Sequence, residues 1–581
     1  MGVFQDSHVS LYYQIKTIYI DMGVQSRELS ITILGFSIGI SFLYFSTHLN
    51  LSYYMQILFI AGFVLSLLIR LLLINSHQYK VYLVDVLITG LTVLYICKCF
   101  SIHQIVNSAI PLVYALFYFG LRLNKISVSP DENIFVAFAL LAVACHSFIS
   151  ILQWMDIIQI INSHSLVSST FDNPDKLASF IAILLPAFYG RKFSYRNGVL
   201  LFSFAEFIFL EARTAIIASL VSWVGYFTLR YRLKFKNLII LSIIFVPVGF
   251  ILISWHTESF YGRVFIWLTS IYMMWMTPSG WGLNAFMKDF PEIQYNIAQN
   301  YPQIAASLNV DLVYSPFNEF FNVGVTLGVF ALALFFLICL LVAYMALRIK
   351  SIFFFSILSY LIICLSYCPF HIPSMTCFII VLCASVVNQF EQNNRTCLFI
   401  IHSGCRFFVK LGVLSLSIIL ILSVYAFSNW FVGNNNMNLG IYEEALTYYK
   451  KAYPFCSEDG VFVSDYASLH CSRGEYAEAY KEWITADRYF SSPNICQNLS
   501  ILAENSRHIE ESKQWMQKAV SLSPKDFKIR GSYILLLWDI GDSIEARNQI
   551  DILYGILNEA PDRNKEKLDA LKDFEYNTLQ F

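Results

Sequence analysis

The stretch LGVLSLSIILILSVYAFSNWF, residues 411–431, contains no charged residue, and VGNNNMNLGIYEEA, residues 432–445, follows it directly. About 20 mostly apolar residues cross a bilayer as a helix, so the first stretch reads as a spanning segment. The second ends in Gly440-x4-Ala445. That spacing recurs as Gly474-x4-Ala479, Arg507-x4-Ser512 and Gly541-x4-Ala546, at steps of 34, 33 and 34 residues. Pro493, Pro524 and Pro561 close three of the units. A fixed period of this length marks stacked helical units, each burying its apolar stripe on the next. The chain therefore divides near residue 433, into a membrane domain over 1–433 and a soluble helical-repeat domain over 434–581.

Apolar runs of spanning length lie near 29–47, 51–75, 81–99, 104–121, 133–153, 177–190, 197–212, 214–230, 237–255, 317–347, 352–366, 374–390 and 411–431. They predict a polytopic all-α bundle of about 13 spans. Composition agrees: 57% of the residues are hydrophobic and only 14% are charged, against about 25% charged in soluble domains. Residues 1–28 carry Asp6, Lys16, Asp21 and Arg27 and have no cleavable-signal pattern. Placing this segment in the cytoplasm puts Lys80, Arg122, Lys125, Arg191, Lys192, Arg196, Arg230, Arg232, Lys234, Lys236, Arg348, Lys350, Arg395, Arg406 and Lys410 in inner loops, with Lys176, Arg213, Arg263 and Lys288 the main exceptions outside. That satisfies the positive-inside rule and leaves the repeat domain outside. A net charge of −1 gives no case for nucleic acid. The 13 Cys form no C-x-x-C pair, and no metal-ligand spacing is present. Cys456, Cys471 and Cys496 of the tail leave a disulfide open.

The long outer segment 256–316 is not a simple tether. It carries Gly262-Arg263-x3-Trp267 and Pro278-x-Gly280-x-Gly282-x3-Phe286, with Asp289 just beyond, and residues 264–276 read as a short interfacial helix. The chain re-enters the membrane at Phe317-Asn318-Glu319. On the same face lie Thr170-Phe171-Asp172-Asn173-Pro174, Ala212-Arg213-Thr214 and the turn Pro369-Phe370-His371. An arginine at membrane depth costs a few kcal/mol unless it finds a partner or water, so convergent arginines make an anion site. Plainer roles stand beside this one. Arg213 snorkels or pairs with Glu211, Arg263 is a surface charge, Asn173 caps a helix, Glu319 caps or pairs, His371 sits at the interface, and Asp289 is a solvated loop charge.

The repeat resembles the tetratricopeptide repeat, with Gly where two helices meet, Ala where they cross and Pro after the second helix. Taken in order, the Asn173-Pro174, Ala212-Arg213-Thr214, Gly262-Arg263, Gly280-x-Gly282 and Asn318-Glu319 motifs resemble the O-antigen ligase superfamily over about residues 130–345. That superfamily includes lipopolysaccharide O-antigen ligases, Wzy-type polymerases and protein O-oligosaccharyltransferases. The resemblance implies a GT-C-like bundle in the bacterial inner membrane. It also implies transfer of a glycan from undecaprenyl diphosphate to a lipid A-core or protein hydroxyl at the periplasmic face. Arg213 and Arg263 then hold the diphosphate, Asn173, Gly280, Gly282 and Asn318 line the substrate, and Glu319 or His371 assists proton removal. No cofactor, metal or nucleotide sugar is implied. One departure stands out: Phe317 occupies the position where lipopolysaccharide ligases carry histidine. The remaining readings are a repeat-unit polymerase, whose acceptor is another lipid-linked glycan, and a transporter or scaffold that displays the repeats to a protein partner.

Overall fold

The computed structural model describes residues 32–42, 56–57, 59–68, 79–98, 105–128, 133–158, 167–171, 173–190, 196–231, 257–300, 313–393, 398–401, 406–558 and 571. The membrane part contains α1 (Leu83–Lys98), α2 (Ile105–Leu123), α3 (Asn133–Trp154), α4 (Pro174–Leu184), α5 (Arg196–Phe209) and α6 (Arg213–Tyr231). The segment that follows holds α7 (Thr257–Met276), a π-helical turn Ala285–Asp289 and α8 (Phe290–Asn300). The chain then forms α9 (Glu319–Leu327), α10 (Val329–Arg348), α11 (Phe353–Cys364), α12 (Pro373–Asn393) and α13 (Arg406–Asn438). Seven repeat helices close it: α14 (Tyr442–Cys456), α15 (Gly460–Ser472), α16 (Tyr476–Asp487), α17 (Pro493–Asn505), α18 (Ile509–Leu522), α19 (Phe527–Asp539) and α20 (Ser543–Asn558). A ribbon of β1 (Tyr79–Val81) and β2 (Phe399–Ile401) pairs antiparallel, with Tyr79 opposite Ile401.

Among the described residues, α3, α10, Pro373–Gln392 of α12 and Ser417–Asn438 of α13 are long and apolar enough to cross a membrane. Shorter apolar helices include Thr32–Phe42, Phe59–Leu68, Pro111–Leu123, Asn197–Phe209 and Phe353–Cys364. The chain is a multi-pass membrane protein. The expected span 237–255 lies outside the described residues. The expected span 317–347 is two helices, α9 and α10, broken at Gly328 with φ +98°. Gly280 is the reason for the break. A Cβ on Gly328 would lie 2.6 Å from the Pro278 carbonyl oxygen, and one on Gly280 would lie 2.5 Å from the Gly328 nitrogen. Only paired glycines allow this backbone contact. The short helix expected at 264–276 is found as a helix over the longer range Thr257–Met276, α7.

One apolar core joins the membrane helices through Phe117, Phe135, Phe180, Phe353 and Phe378. A smaller platform joins α7, the π-turn, α8 and α9 through Ile266, Met273, Phe286, Phe290 and Val325. The repeat helices pack in antiparallel pairs. Their turns are built at Gly440 (φ +77°), Gly474 (+77°), Arg507 (+63°) and Gly541 (+82°), so the sequence period is also a conformational period. The helix α13 runs through residue 433 without a break, and its Ala426, Phe427 and Trp430 share a core with Tyr449 and Phe462 of the repeats. Trp430 Nε1–H and Asn434 Nδ2–H donate to Asp465 Oδ2 at 3.1 and 3.2 Å. The last membrane helix is thus the first helix of the solenoid. Cys456, Cys471 and Cys496 are free thiols.

Candidate functional site

Asp175 of α4 lies within electrostatic reach of Arg213 of α6 and Arg263 of α7, and hydrogen bonds tie Arg263 and Glu319 of α9 to the α11–α12 connection, whereas Gly280 and Gly282 pack at the other end of α9, against Thr326–Gly328. Asn173 caps α4, accepting from the Asp175 N–H at 2.7 Å, and Pro174 starts the helix at the position where a missing N–H costs nothing. This fixes Asp175 and Lys176 in the first turn. The charge of Asp175 acts on both Arg213 and Arg263, and the two arginines act on each other. Arg213 opens α6 after a tight turn in which Glu211 has φ +54°.

Arg263 is half-buried on α7. Its Nη1–H donates to the Ser366 carbonyl at 3.0 Å, and its guanidinium lies 5.5 Å from the Phe317 ring centre. Among the described residues it forms no ion pair. Phe317, at the position of the missing histidine, therefore supplies a flat aromatic support for this cation. Its backbone is left-handed, φ +48°, a conformation a bulky residue holds only when its surroundings enforce it. The Trp267 Nε1–H donates to the neighbouring Pro316 carbonyl at 3.1 Å.

Asn318 caps α9, accepting from the Phe320 and Phe321 N–H groups, and its Nδ2–H donates to the Leu365 carbonyl at 3.0 Å. Glu319 is fully buried. One carboxylate oxygen accepts from Asn322 Nδ2–H at 2.9 Å and the other from the Phe370 N–H at 3.0 Å. It ties the re-entry helix to the turn that presents His371. The His371 imidazole is accessible yet closely surrounded by protein. That crowding, helped by the Lys176 charge, pushes its pKa down to about 4. Gly280 serves packing, as described above, and its carbonyl accepts from Lys98 Nζ at 2.9 Å. Gly282 donates its N–H to the Thr326 carbonyl at 3.0 Å and leaves open space on its face. Asp289 is half-buried, and burial together with Glu292 raises its pKa to about 6.

Sequence reasoning gave no site role to Asp175, Lys176 or Lys98. The first two directly follow the quoted Asn173-Pro174 motif; Lys98 shows no signal in the linear chain, since its partner is 182 residues away. It also missed the buried His146, which bonds Ser41 at 2.8 Å and Ser169 at 3.0 Å and so anchors the loop leading to Asn173.

Fold and sequence together define a multi-pass membrane protein with an α-solenoid of tetratricopeptide type. Residues 198–336 match the family model described as O-Antigen ligase, and both Arg213 and Arg263 lie inside the matched stretch. No curated protein matches the chain. A solved structure described as YrrB, "a TPR protein with an unusual peptide-binding site", is 20% identical over 22% of this chain and 66% of its own, with a TM-score of 0.20. A component of the "APC/C hetero-tetramer Cut9-Hcn1" is 10% identical over 76% of this chain and 69% of its own, with a TM-score of 0.21. The assignment of the solenoid rests on its own 34-residue geometry.

Proposed function

We propose that this chain transfers a glycan from undecaprenyl diphosphate to an acceptor hydroxyl at the periplasmic face of the bacterial inner membrane. The observation that carries this reading is Arg263, a half-buried guanidinium with an aromatic floor, one backbone carbonyl and no ion pair among the described residues. It stands within electrostatic reach of Arg213 and Asp175. Guanidinium groups stay charged at any working pH and grip phosphate oxygens bidentately. Placed here, they hold the diphosphate and stabilise the negative charge that builds as it leaves. The acceptor oxygen attacks the anomeric carbon as that carbon's bond to the diphosphate breaks. Attack from the opposite side inverts the centre. Undecaprenyl diphosphate departs with the bonding electrons, and the hydroxyl proton passes to His371.

The geometry favours His371 over Glu319 as base, because both Glu319 oxygens are already engaged and the side chain is fully buried. A neutral imidazole has a free lone pair. An arriving diphosphate offsets the Lys176 charge and lifts the imidazole pKa toward the useful range. Glu319 then acts as a positioning residue for the His371 turn.

The test is deletion of the gene in its host, complemented with wild type or Arg263→Ala. Surface polysaccharide and envelope glycoproteins are compared. Loss of long-chain lipopolysaccharide with polymer left on the lipid carrier identifies a lipid A-core ligase; loss of glycoprotein alone identifies a protein acceptor. Collapse of a ladder to single units identifies the polymerase. Unchanged glycans in the Arg263→Ala strain overturn the proposal.

A further inference from the structure

The solenoid reaches back onto the segment that supplies Arg263 and Phe317. Its turn Asp487–Ser492, between α16 and α17, holds two parts of that segment at once. At one part, the Ser491 N–H donates to the Met287 carbonyl at 2.8 Å, and Lys288 Nζ donates to the Asp487 carbonyl at 2.7 Å. Ser491 Oγ donates to Glu292 Oε1 at 3.2 Å, and Lys288 bonds the same carboxylate at 2.8 Å. At the other part, the Tyr314 hydroxyl donates to the Ser491 carbonyl at 3.1 Å, and its ring packs on Phe490 at 5.2 Å between centres. The Asp487 carboxylate is held in turn by Lys518 Nζ of α18, at 2.7 and 2.8 Å. The helix α8 also packs on α18.

Two residues, Ser315 and Pro316, separate Tyr314 from Phe317. Between them, Pro316 is fixed by Trp267, one helical turn beyond Arg263 on α7. Phe317 keeps its left-handed backbone under the Arg263 guanidinium. A strained residue persists when it is held from both sides. Here Asn318 holds it from the α9 side and Tyr314 from the solenoid side.

Resting on the diphosphate reading above, we propose that the solenoid is a positioning element of the transfer site: its Asp487–Ser492 turn, acting through Tyr314 and Lys288, sets Phe317 beneath Arg263. Tyr314 and Lys288 touch no substrate in this arrangement. Their effect runs through the backbone at 314–318, so the repeats are part of the donor site's architecture and not an appended adaptor.

The experiment compares wild type, the double variant Tyr314→Phe/Lys288→Met, Arg263→Ala and Lys513→Met, purified in lipid nanodiscs. Lys513→Met breaks a solenoid ion pair with Asp542, 2.7 Å long, that does not involve the 257–317 segment. Amide hydrogen exchange is followed over residues 313–321, and binding of undecaprenyl diphosphate is measured. In the double variant, exchange of 313–321 is expected to rise about 10-fold and affinity to fall about 5-fold, while Lys513→Met leaves both unchanged. The same variant with unchanged exchange at 313–321, or Lys513→Met with an equal rise, overturns the positioning claim. Affinity lost in Arg263→Ala but kept in the double variant overturns the positioning claim alone. Affinity unaffected by Arg263→Ala overturns the donor reading, and the exchange of 313–321 still decides whether the solenoid positions that segment.

Discussion

Arg122 and Arg263, both in the membrane domain, are withdrawn from water, and they are treated differently. Arg122, at the end of α2, is surrounded by acceptors. It pairs with Asp85 at 3.1 Å and Glu391 at 3.1 Å, bonds Asn388, and shares Asp85 with the Tyr118 hydroxyl. Two carboxylates more than neutralise one guanidinium, and the group knots α1, α2 and α12 together. Arg263 is met by a carbonyl, a ring face and, among the described residues, no ion pair. A guanidinium cannot escape burial by losing its proton. Arg122 is completed by the protein itself, whereas Arg263 has only the nearby Asp175 charge to set against its own, which is why the proposal above gives it an anion from outside.

The largest effect that tests this contrast is on transfer. Arg263→Ala is expected to lower glycan transfer about 10²–10³-fold, the usual loss when one preorganised donor to a leaving charge is removed. Its thermal unfolding should stay close to wild type. Arg122→Ala should do the reverse, losing roughly 3–5 kcal/mol of stability because two carboxylates are left buried without their cation. Melting curves of both proteins in nanodiscs check the pair, and equal destabilisation would break the distinction.

Asp465 sharpens the contrast from the opposite sign. It is a solenoid carboxyl that accepts from Trp430 and Asn434 and is raised to about 7, mainly by burial. Unlike arginine, it resolves its imbalance by taking up a proton. The folded state then binds more protons than the unfolded state between about pH 4 and 7, so stability falls as pH rises through that window. Asp465→Asn should flatten this slope and stabilise the α13–α15 joint at pH 8 by up to roughly 4 kcal/mol. A slope that survives the substitution would assign it to another group.

The glycine pair offers a smaller test of how tightly the Arg263 side is held. Gly280→Ala collides with the Gly328 backbone and should cost about 2–4 kcal/mol. Gly282→Ala, with a similar φ but open space, should cost about 1 kcal/mol. Denaturant midpoints compare them, and equal costs would mean that the close contact adds nothing. The smallest effect is expected at Arg507, which stands left-handed where the sibling turns carry glycine. Arg507→Gly should stabilise the solenoid by about 0.5–1 kcal/mol, read as a rise in its melting temperature.

The apolar run ending at Phe431 and the 34-residue spacing are local signals, so the membrane and solenoid architecture could be read directly from the chain. The arginines were legible for a similar reason, since charge at membrane depth is conspicuous wherever it stands. The division of 317–347 at Gly328 was not, because its cause lies 48 residues earlier at Gly280. Glu319 looked like a base because its carboxyl is reactive in principle. Only the fold shows that Asn322 and Phe370 already occupy it. Lys98 and Tyr314 were invisible in the same way: each finds its partner more than 170 residues along the chain.

The unbroken helix α13 has a mechanical consequence. Its 33 residues form a rod about 50 Å long, and the solenoid grows from its end without a flexible joint. The random-coil statistics that govern tethered domains do not apply to such a mast. A sideways pull on the repeats therefore arrives at the bundle as torque.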